Sequence, residues 1–233
     1  MKINDLKERL GIYDIAVNDE QLNLLSSFME ETLSTNEKFN LTAIVDRDVF
    51  VEKMIFDSAM ALRELDLTDK SIIDIGTGAG YPGMVLKILA PSANVSLLDS
   101  TNKKIDYLAN FAKNNNLKVN TICDRSEHYA KEHREKYDYA IARAVASLDV
   151  LLEIISPLLK VNGTLIAMKG ADYEKEINDS INAFKKLNLK IDSIYEFELP
   201  ESKEKRVLIY IRKVKETNKK YPREFNEIKR QPL

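Results

Sequence analysis

Apolar positions recur at three- and four-residue spacing over the first part of the chain. Leu22, Leu25, Phe28, Met29 and Leu33 form one stripe, and Asn18 and Asp19 stand ahead of it as capping side chains. This spacing predicts an amphipathic helix. Val51, Met54, Ile55, Ser58, Leu62 and Leu65 form a second stripe behind the capping candidate Asp46. Residues 36–44 between them are too short and irregular for another long element.

The pattern changes at Ser71. Ile72-Ile73-Asp74-Ile75 is a short apolar run that stops at a glycine, as a buried strand does. Tyr81–Ala90 then reads as helix, Val95–Asp99 as strand, Asn102–Asn115 as helix and Lys118–Cys123 as strand. Tyr137–Ala142 is a fourth strand, Leu148–Leu159 a helix and Gly163–Met168 a fifth strand. Strands alternating with helices indicate right-handed βαβ units and a parallel sheet. After a helix over Tyr173–Leu187, the strand-like runs Lys190–Leu199 and Arg206–Ile211 are joined by a turn around Pro200-Glu201-Ser202. That gap holds no crossover helix, so these two strands are expected to pair as an antiparallel hairpin. The fold class is α/β, Rossmann-like and mostly parallel. We expect a helical cap over 1–65, a core over 66–213 and a basic tail over 214–233.

Composition narrows the function. The chain has 233 residues, 44% of them apolar, which suits one domain or a domain with an extension. One Cys excludes a disulfide framework, and with two His it leaves no zinc-ligand set. No run approaches the roughly 18 apolar residues of a membrane helix. Met1–Arg9 is charged at helical spacing and has no signal-peptide core, so the expected location is the cytoplasm. The net charge of −2 is unevenly placed: Lys203–Leu233 holds 11 Lys or Arg against 4 Glu, a net of +7 on an otherwise acidic body. Such a strip suits a polyanionic partner; its other reading is a solvated tail.

The segment Asp74-Ile75-Gly76-Thr77-Gly78-Ala79-Gly80-Tyr81-Pro82-Gly83 joins the first predicted strand to its helix. Glycine here permits a tight turn and close approach of a ligand. Gly78-x-Gly80-x-x-Gly83 matches the dinucleotide fingerprint, and Asp99 ends the next strand, where an acid binds a ribose. A nicotinamide dinucleotide would place its pyrophosphate near Asp74. A cationic ligand such as S-adenosyl-L-methionine (SAM), with its amino and sulfonium groups, accommodates that aspartate better, and the terminal hairpin also departs from a plain dinucleotide fold.

This loop, Leu97-Leu98-Asp99-Ser100 with Lys103-Lys104, and Ala140-Ile141-Ala142-Arg143-Ala144 resemble the RsmG (GidB) family, bacterial SAM-dependent methyltransferases that modify guanine N7 in 16S rRNA. Asn40-Leu41-Thr42-Ala43-Ile44 and Lys220-Tyr221-Pro222-Arg223 resemble further family features, so the resemblance runs from about residue 20 to the C-terminus. It implies a seven-stranded class I methyltransferase sheet. It also implies SAM contacts from Gly76, Tyr81, Ser126, Glu127 and Arg143, with Asp99 at the ribose. Asp74, Gly78 and Gly80 complete the cofactor candidates. The tail departs from the family pattern: Glu224-Phe225-Asn226-Glu227-Ile228 stands where relatives have a Gly/Pro-containing stretch, while Lys229-Arg230-Gln231-Pro232-Leu233 resembles a family ending.

The chemistry needed differs with the methyl acceptor. Cytosine C5 requires a cysteine nucleophile, and Cys123, the one cysteine, reads as a small packed side chain. Enzymes acting on exocyclic amines carry an Asn/Asp-Pro-Pro-aromatic motif after the fourth strand, where this chain has Ala142-Arg143-Ala144-Val145-Ala146. Guanine N7 is already an unprotonated acceptor and needs alignment rather than a general base. It faces the deep major groove of A-form RNA, so the target guanosine is expected in a loop.

Arg143, Asn40 and Thr42 are the candidates for the methyl-transfer site. Arg143 ends the fourth strand and either contacts SAM or guanine or forms a surface ion pair; Asn40 and Thr42 either approach the site or cap the next helix. Lys169-Gly170 is placed like Arg143. Lys219, Lys220, Arg223, Lys229 and Arg230 are expected to contact phosphates of 16S rRNA, in a small-subunit ribosomal particle, from a monomeric enzyme. Tyr221 either stacks on a base or packs. Three other readings compete: a methyltransferase of the same fold acting on another RNA, a protein or a small molecule; a nicotinamide-dependent oxidoreductase; and an RNA-binding protein with a SAM pocket and no turnover. Asp74 and the missing His/Tyr/Lys constellation argue against the oxidoreductase.

Overall fold

Successive side chains of β1 (Ser71–Ile75) leave the sheet on opposite sides: Ile72 enters one apolar cluster, Ile73 and Ile75 the other. The computed structural model describes residues 1–233. The remaining strands are β2 (Asn94–Asp99), β3 (Val119–Cys123), β4 (Tyr137–Arg143), β5 (Leu159–Lys169), β6 (Leu189–Glu198) and β7 (Lys205–Lys213). All seven join one sheet in the order β3-β2-β1-β4-β5-β7-β6. β1 to β5 are parallel, and β7 runs antiparallel between β5 and β6, the hairpin that the short 200–202 turn requires. The connections leave β1 and β4 in opposite directions, which opens a crevice at the carboxyl ends of these two strands.

Helices cover both faces. On one lie α1 (Leu6–Gly11), α2 (Asp19–Asn36), α5 (Gly83–Leu89), α6 (Asn102–Asn114) and a helical segment over 47–64. That segment contains α3 (Arg47–Phe50), a π-helical stretch (Val51–Phe56), α4 (Asp57–Ala59) and a 3₁₀ turn (Met60–Glu64). On the other lie α7 (Ser126–Glu132), α8 (Leu148–Ile155), α9 (Tyr173–Asp179), α10 (Ile181–Lys186) and α11 (Phe225–Arg230). Asn18 and Asp46 cap as expected: Gln21 N–H donates to Asn18 Oδ1 at 2.8 Å, and Val49 N–H to Asp46 Oδ1 at 2.9 Å.

Three boundaries differ from the sequence reading. The helix expected over Leu148–Leu159 ends at Ile155, because Pro157 has no N–H to extend the hydrogen-bond ladder, and β5 starts early at Leu159. The helix expected over Tyr173–Leu187 is two, broken at Ser180, whose hydroxyl bonds back to the Glu176 carbonyl at 2.6 Å. The second stripe of the N-terminal part is helical from Val51 to Glu64, with its hydrogen-bond register changed twice, and its last residue, Leu65, is extended.

The basic tail is built into the molecule. Tyr221 and the fully buried Ile228 join the second apolar cluster. The Arg134 guanidinium donates to the carbonyls of Thr217 and Tyr221 at 2.6 and 2.7 Å. Arg223, expected at RNA phosphates, instead donates through its backbone N–H and its guanidinium to the fully buried Glu153 at 2.7–2.9 Å. A buried carboxylate needs a paired cation, so this arginine is committed to the fold. Tyr221 packs rather than offering a face for stacking. Lys219, Lys220, Lys229 and Arg230 are exposed.

Candidate active site

The loop after β1 turns on three glycines in the left-handed region, with φ of +66° at Gly76, +58° at Gly78 and +94° at Gly80. A Cβ at Gly76 would meet Val145 Cγ2 at 2.8 Å, so this position closes against the segment after β4. Asp74 holds the loop from beneath: its Oδ2 accepts from Thr77 Oγ1 at 2.6 Å and from Gly83 N–H at 2.8 Å. Burial raises its carboxyl to about 6, against the two hydrogen bonds, and its Oδ1 has no partner. The sequence reading put Asp74 beside the ligand; the carboxylate instead lies wholly buried under the turn, where it staples the two ends of the loop.

A cavity of about 150 Å³ opens beyond the loop, with Gly76, Asp99, Ser126, Glu127, Val145 and Phe225 among its walls. Asp99 ends β2, and its carboxylate accepts from Gly78 N–H at 3.1 Å and Thr101 N–H at 2.9 Å, with Lys104 Nζ at 3.7 Å. Glu127, in the first turn of α7, is buried and pairs with Arg125 Nε at 2.9 Å. These features fit an adenosyl group: a carboxylate for ribose hydroxyls, a glycine concavity that a side chain would fill, and apolar walls for a flat base. Tyr81, expected at SAM through the resemblance, turns its hydroxyl away from the cavity into the core, 3.2 Å from Thr32 Oγ1, and Phe28 stacks on its ring at 4.8 Å.

A larger cavity of about 610 Å³ adjoins it, walled by Ile44, Met54, Asp57, Arg143, Lys169 and Arg206 among others. Val145 and Ala146 border both cavities, so the two meet along this segment. Arg143 donates to the Lys53 carbonyl at 3.0 Å and lies 3.5 Å from Asp57; Arg206 approaches the same carboxylate at 3.4 Å. Burial raises the Asp57 carboxyl against the pull of both arginines. Lys169 pairs with Glu176 at 2.6 Å. Asn40 is exposed, on the stretch that carries Ile44 to this cavity, and Thr42 Oγ1 accepts from Ile44 N–H at 3.1 Å. The helix cap that was their alternative role belongs to Asp46. Asp57, Glu176 and Arg206 were missed from the sequence; the signal for Asp57 was an acid set inside an otherwise apolar helical stripe.

The sheet order, the glycine loop and the acid ending β2 define a class I SAM-dependent methyltransferase fold. Among solved structures it is similar to TYW2 of M. jannaschii in complex with AdoMet (TM-score 0.54, 17% identity, 64% of this chain and 71% of that one). It is also similar to the mitomycin 7-O-methyltransferase MmcR (TM-score 0.56, 12% identity, 80% and 60%). Within that class the chain belongs to the GidB family, rRNA small subunit methyltransferase G, whose family model matches residues 21–206. Relatives named ribosomal RNA small subunit methyltransferase G share 39% identity in Halalkalibacterium halodurans, over the whole of both chains. They share 42% in Fusobacterium nucleatum, over 97% of this chain and 98% of that protein.

Proposed function

We propose that this chain methylates N7 of one guanosine in a loop of 16S rRNA, met in the small-subunit particle, with SAM as the donor. The supporting observation is the state of the acids at the larger cavity. Asp57 is bracketed by Arg143 and Arg206, and Glu176 is held by Lys169 and by Leu148 N–H at 2.8 Å. Both carboxylates are engaged by cations of the fold, and guanine N7, which carries no proton, needs no base from either. Bound SAM supplies an activated methyl group on its sulfonium.

The residues present align and exclude water. Asp99 orients the ribose, the Val145–Ala146 segment sets the passage between the two cavities, and Arg143 and Arg206 offer guanidinium groups to the guanine or its flanking phosphates. Such positioning supplies roughly 7–11 kcal/mol of a barrier. A guanosine enters the cavity only when splayed from its stack, which selects a loop. Lys219, Lys220, Lys229 and Arg230 add sequence-independent contacts to phosphates.

The test uses tritiated SAM with 16S rRNA and with small-subunit particles, both from cells lacking this protein. Label at one guanine, with the strand cleavage of 7-methylguanine, is expected. Label in neither RNA nor particle, with SAM bound, moves the reading to another methyl acceptor.

A further inference from the structure

We propose that the C-terminal tail completes the cofactor site, with Phe225 forming a wall of the subsite for the adenine base. This rests on the SAM reading of the smaller cavity. The methyl group has to reach the segment shared by the two cavities, Val145–Ala146, and Asp99 marks the ribose. The base then lies at the opposite end, toward Arg125, Ser126 and Phe225. Phe225 borders the smaller cavity and not the larger one.

The ring is held in place from several sides. The Arg125 guanidinium lies over it at 4.7 Å, and the same guanidinium pairs with Glu127 across the cavity wall. Ile228, one turn further along α11, is fully buried against the second apolar cluster, so the helix cannot roll without exposing it. Lys131 pairs with Glu224 immediately before Phe225, and Arg223 is locked to Glu153. An aromatic side chain fixed this firmly at the edge of a small cavity suits the flat face of a purine, which stacks on it. The stretch where the sequence departs from its family pattern, 224–228, is the stretch that supplies Phe225 and Ile228. The tail thereby carries two functions: Phe225 and Ile228 face the cofactor and the core, and the exposed cations Lys219, Lys220, Lys229 and Arg230 face outward.

Calorimetric titration of S-adenosylhomocysteine into the full chain and into Phe225→Ala tests this, with the melting temperature of the unliganded proteins as the fold control. The expected result is weakening by about tenfold or more, the loss of one base–aromatic stack. The chain contains no tryptophan, so Phe225→Trp introduces a single reporter in the proposed wall. Its emission should respond to S-adenosylhomocysteine and saturate at the calorimetric Kd. Affinity within twofold of the parent for a folded Phe225→Ala, or a silent tryptophan in a variant that binds the ligand, overturns the proposal and leaves the cofactor reading standing. If Phe225→Ala does not fold, the tryptophan variant decides alone. A parent chain that does not bind the ligand refutes the cofactor reading itself.

Discussion

Arg143, at the carboxyl end of β4, and Asp57, on the helical segment of the opposite layer, meet at 3.5 Å across the floor of the larger cavity. Asp57 is 3% exposed, and its Oδ2 also faces Arg206 at 3.4 Å. One buried carboxylate therefore sets the positions of both arginines that line the larger cavity. Asp57→Asn keeps the shape and removes the charge. Two confined cations then lose the counter-ion that holds them in place, while the burial cost of the carboxylate is relieved, so the change is read in turnover rather than in stability. We expect methyl transfer at saturating SAM to fall by about tenfold or more, with S-adenosylhomocysteine bound within about twofold of the parent. Equal losses in turnover and cofactor affinity would refute this division of roles.

Thr32 ties the helix α2 to the glycine loop. Its hydroxyl donates to the Phe28 carbonyl at 2.7 Å, which uses its one proton, so Tyr107 at 2.7 Å and Tyr81 at 3.2 Å both donate to its oxygen. All three hydroxyls are buried. Thr32→Val leaves two tyrosine hydroxyls without an acceptor and should cost about 2–4 kcal/mol in urea denaturation. Thr32→Ser should cost much less, and Tyr107→Phe in the valine background should recover part of the loss. A valine variant as stable as the parent would remove Thr32 from this role.

Which of these features the sequence discloses follows from the range of the interaction. The apolar run Ile72–Ile75 and the glycines behind it are local signals, and so is the short 200–202 turn that forces β6 and β7 to pair. The break at Ser180 and the early end at Ile155 are local too, but they depend on a hydroxyl back-bond and on Pro157, both weaker than the apolar periodicity around them. Asp57 and Arg206 lie 149 positions apart, and no pattern along the chain joins them. Arg223 reads as a free cation because its partner, Glu153, sits inside an otherwise apolar helix. Asp74 was legible as an unusual acid in a glycine turn. Its staple geometry required the folded loop.

The anchoring of the tail changes how its RNA contacts are to be measured. Removing residues 217–233 would strip Glu153 of Arg223 and leave a buried charge alone, about 3–5 kcal/mol of destabilisation, so loss of activity on truncation would say nothing about RNA. Replacing Lys219, Lys220, Lys229 and Arg230 with alanine removes only exposed charge, and stability should change by less than about 1 kcal/mol. The slope of log affinity for 16S rRNA against log salt should become shallower by about 3, with a similar loss for unrelated RNA. An unchanged slope would place the RNA elsewhere on the molecule.

Asp74 sets a pH dependence whose sign can be worked out. Its carboxyl titrates near 3.8 when free and at about 6 in the fold, so the folded state holds a proton that the unfolded chain has released. The stability this site contributes is complete below about pH 4 and is lost as the pH rises through about 6, by about 3 kcal/mol in all. Asp57, raised by burial as well, adds in the same direction. Comparison with Asp74→Asn isolates the first contribution, because asparagine still presents an acceptor to Thr77 and Gly83 and carries no titrating proton. Between pH 4 and 7 the unliganded parent should lose stability relative to Asp74→Asn, measured by urea denaturation at each pH. A difference independent of pH would mean that Asp74 stays ionised beneath the loop, and a gain for the parent with rising pH would mean that its carboxylate is stabilised there rather than strained.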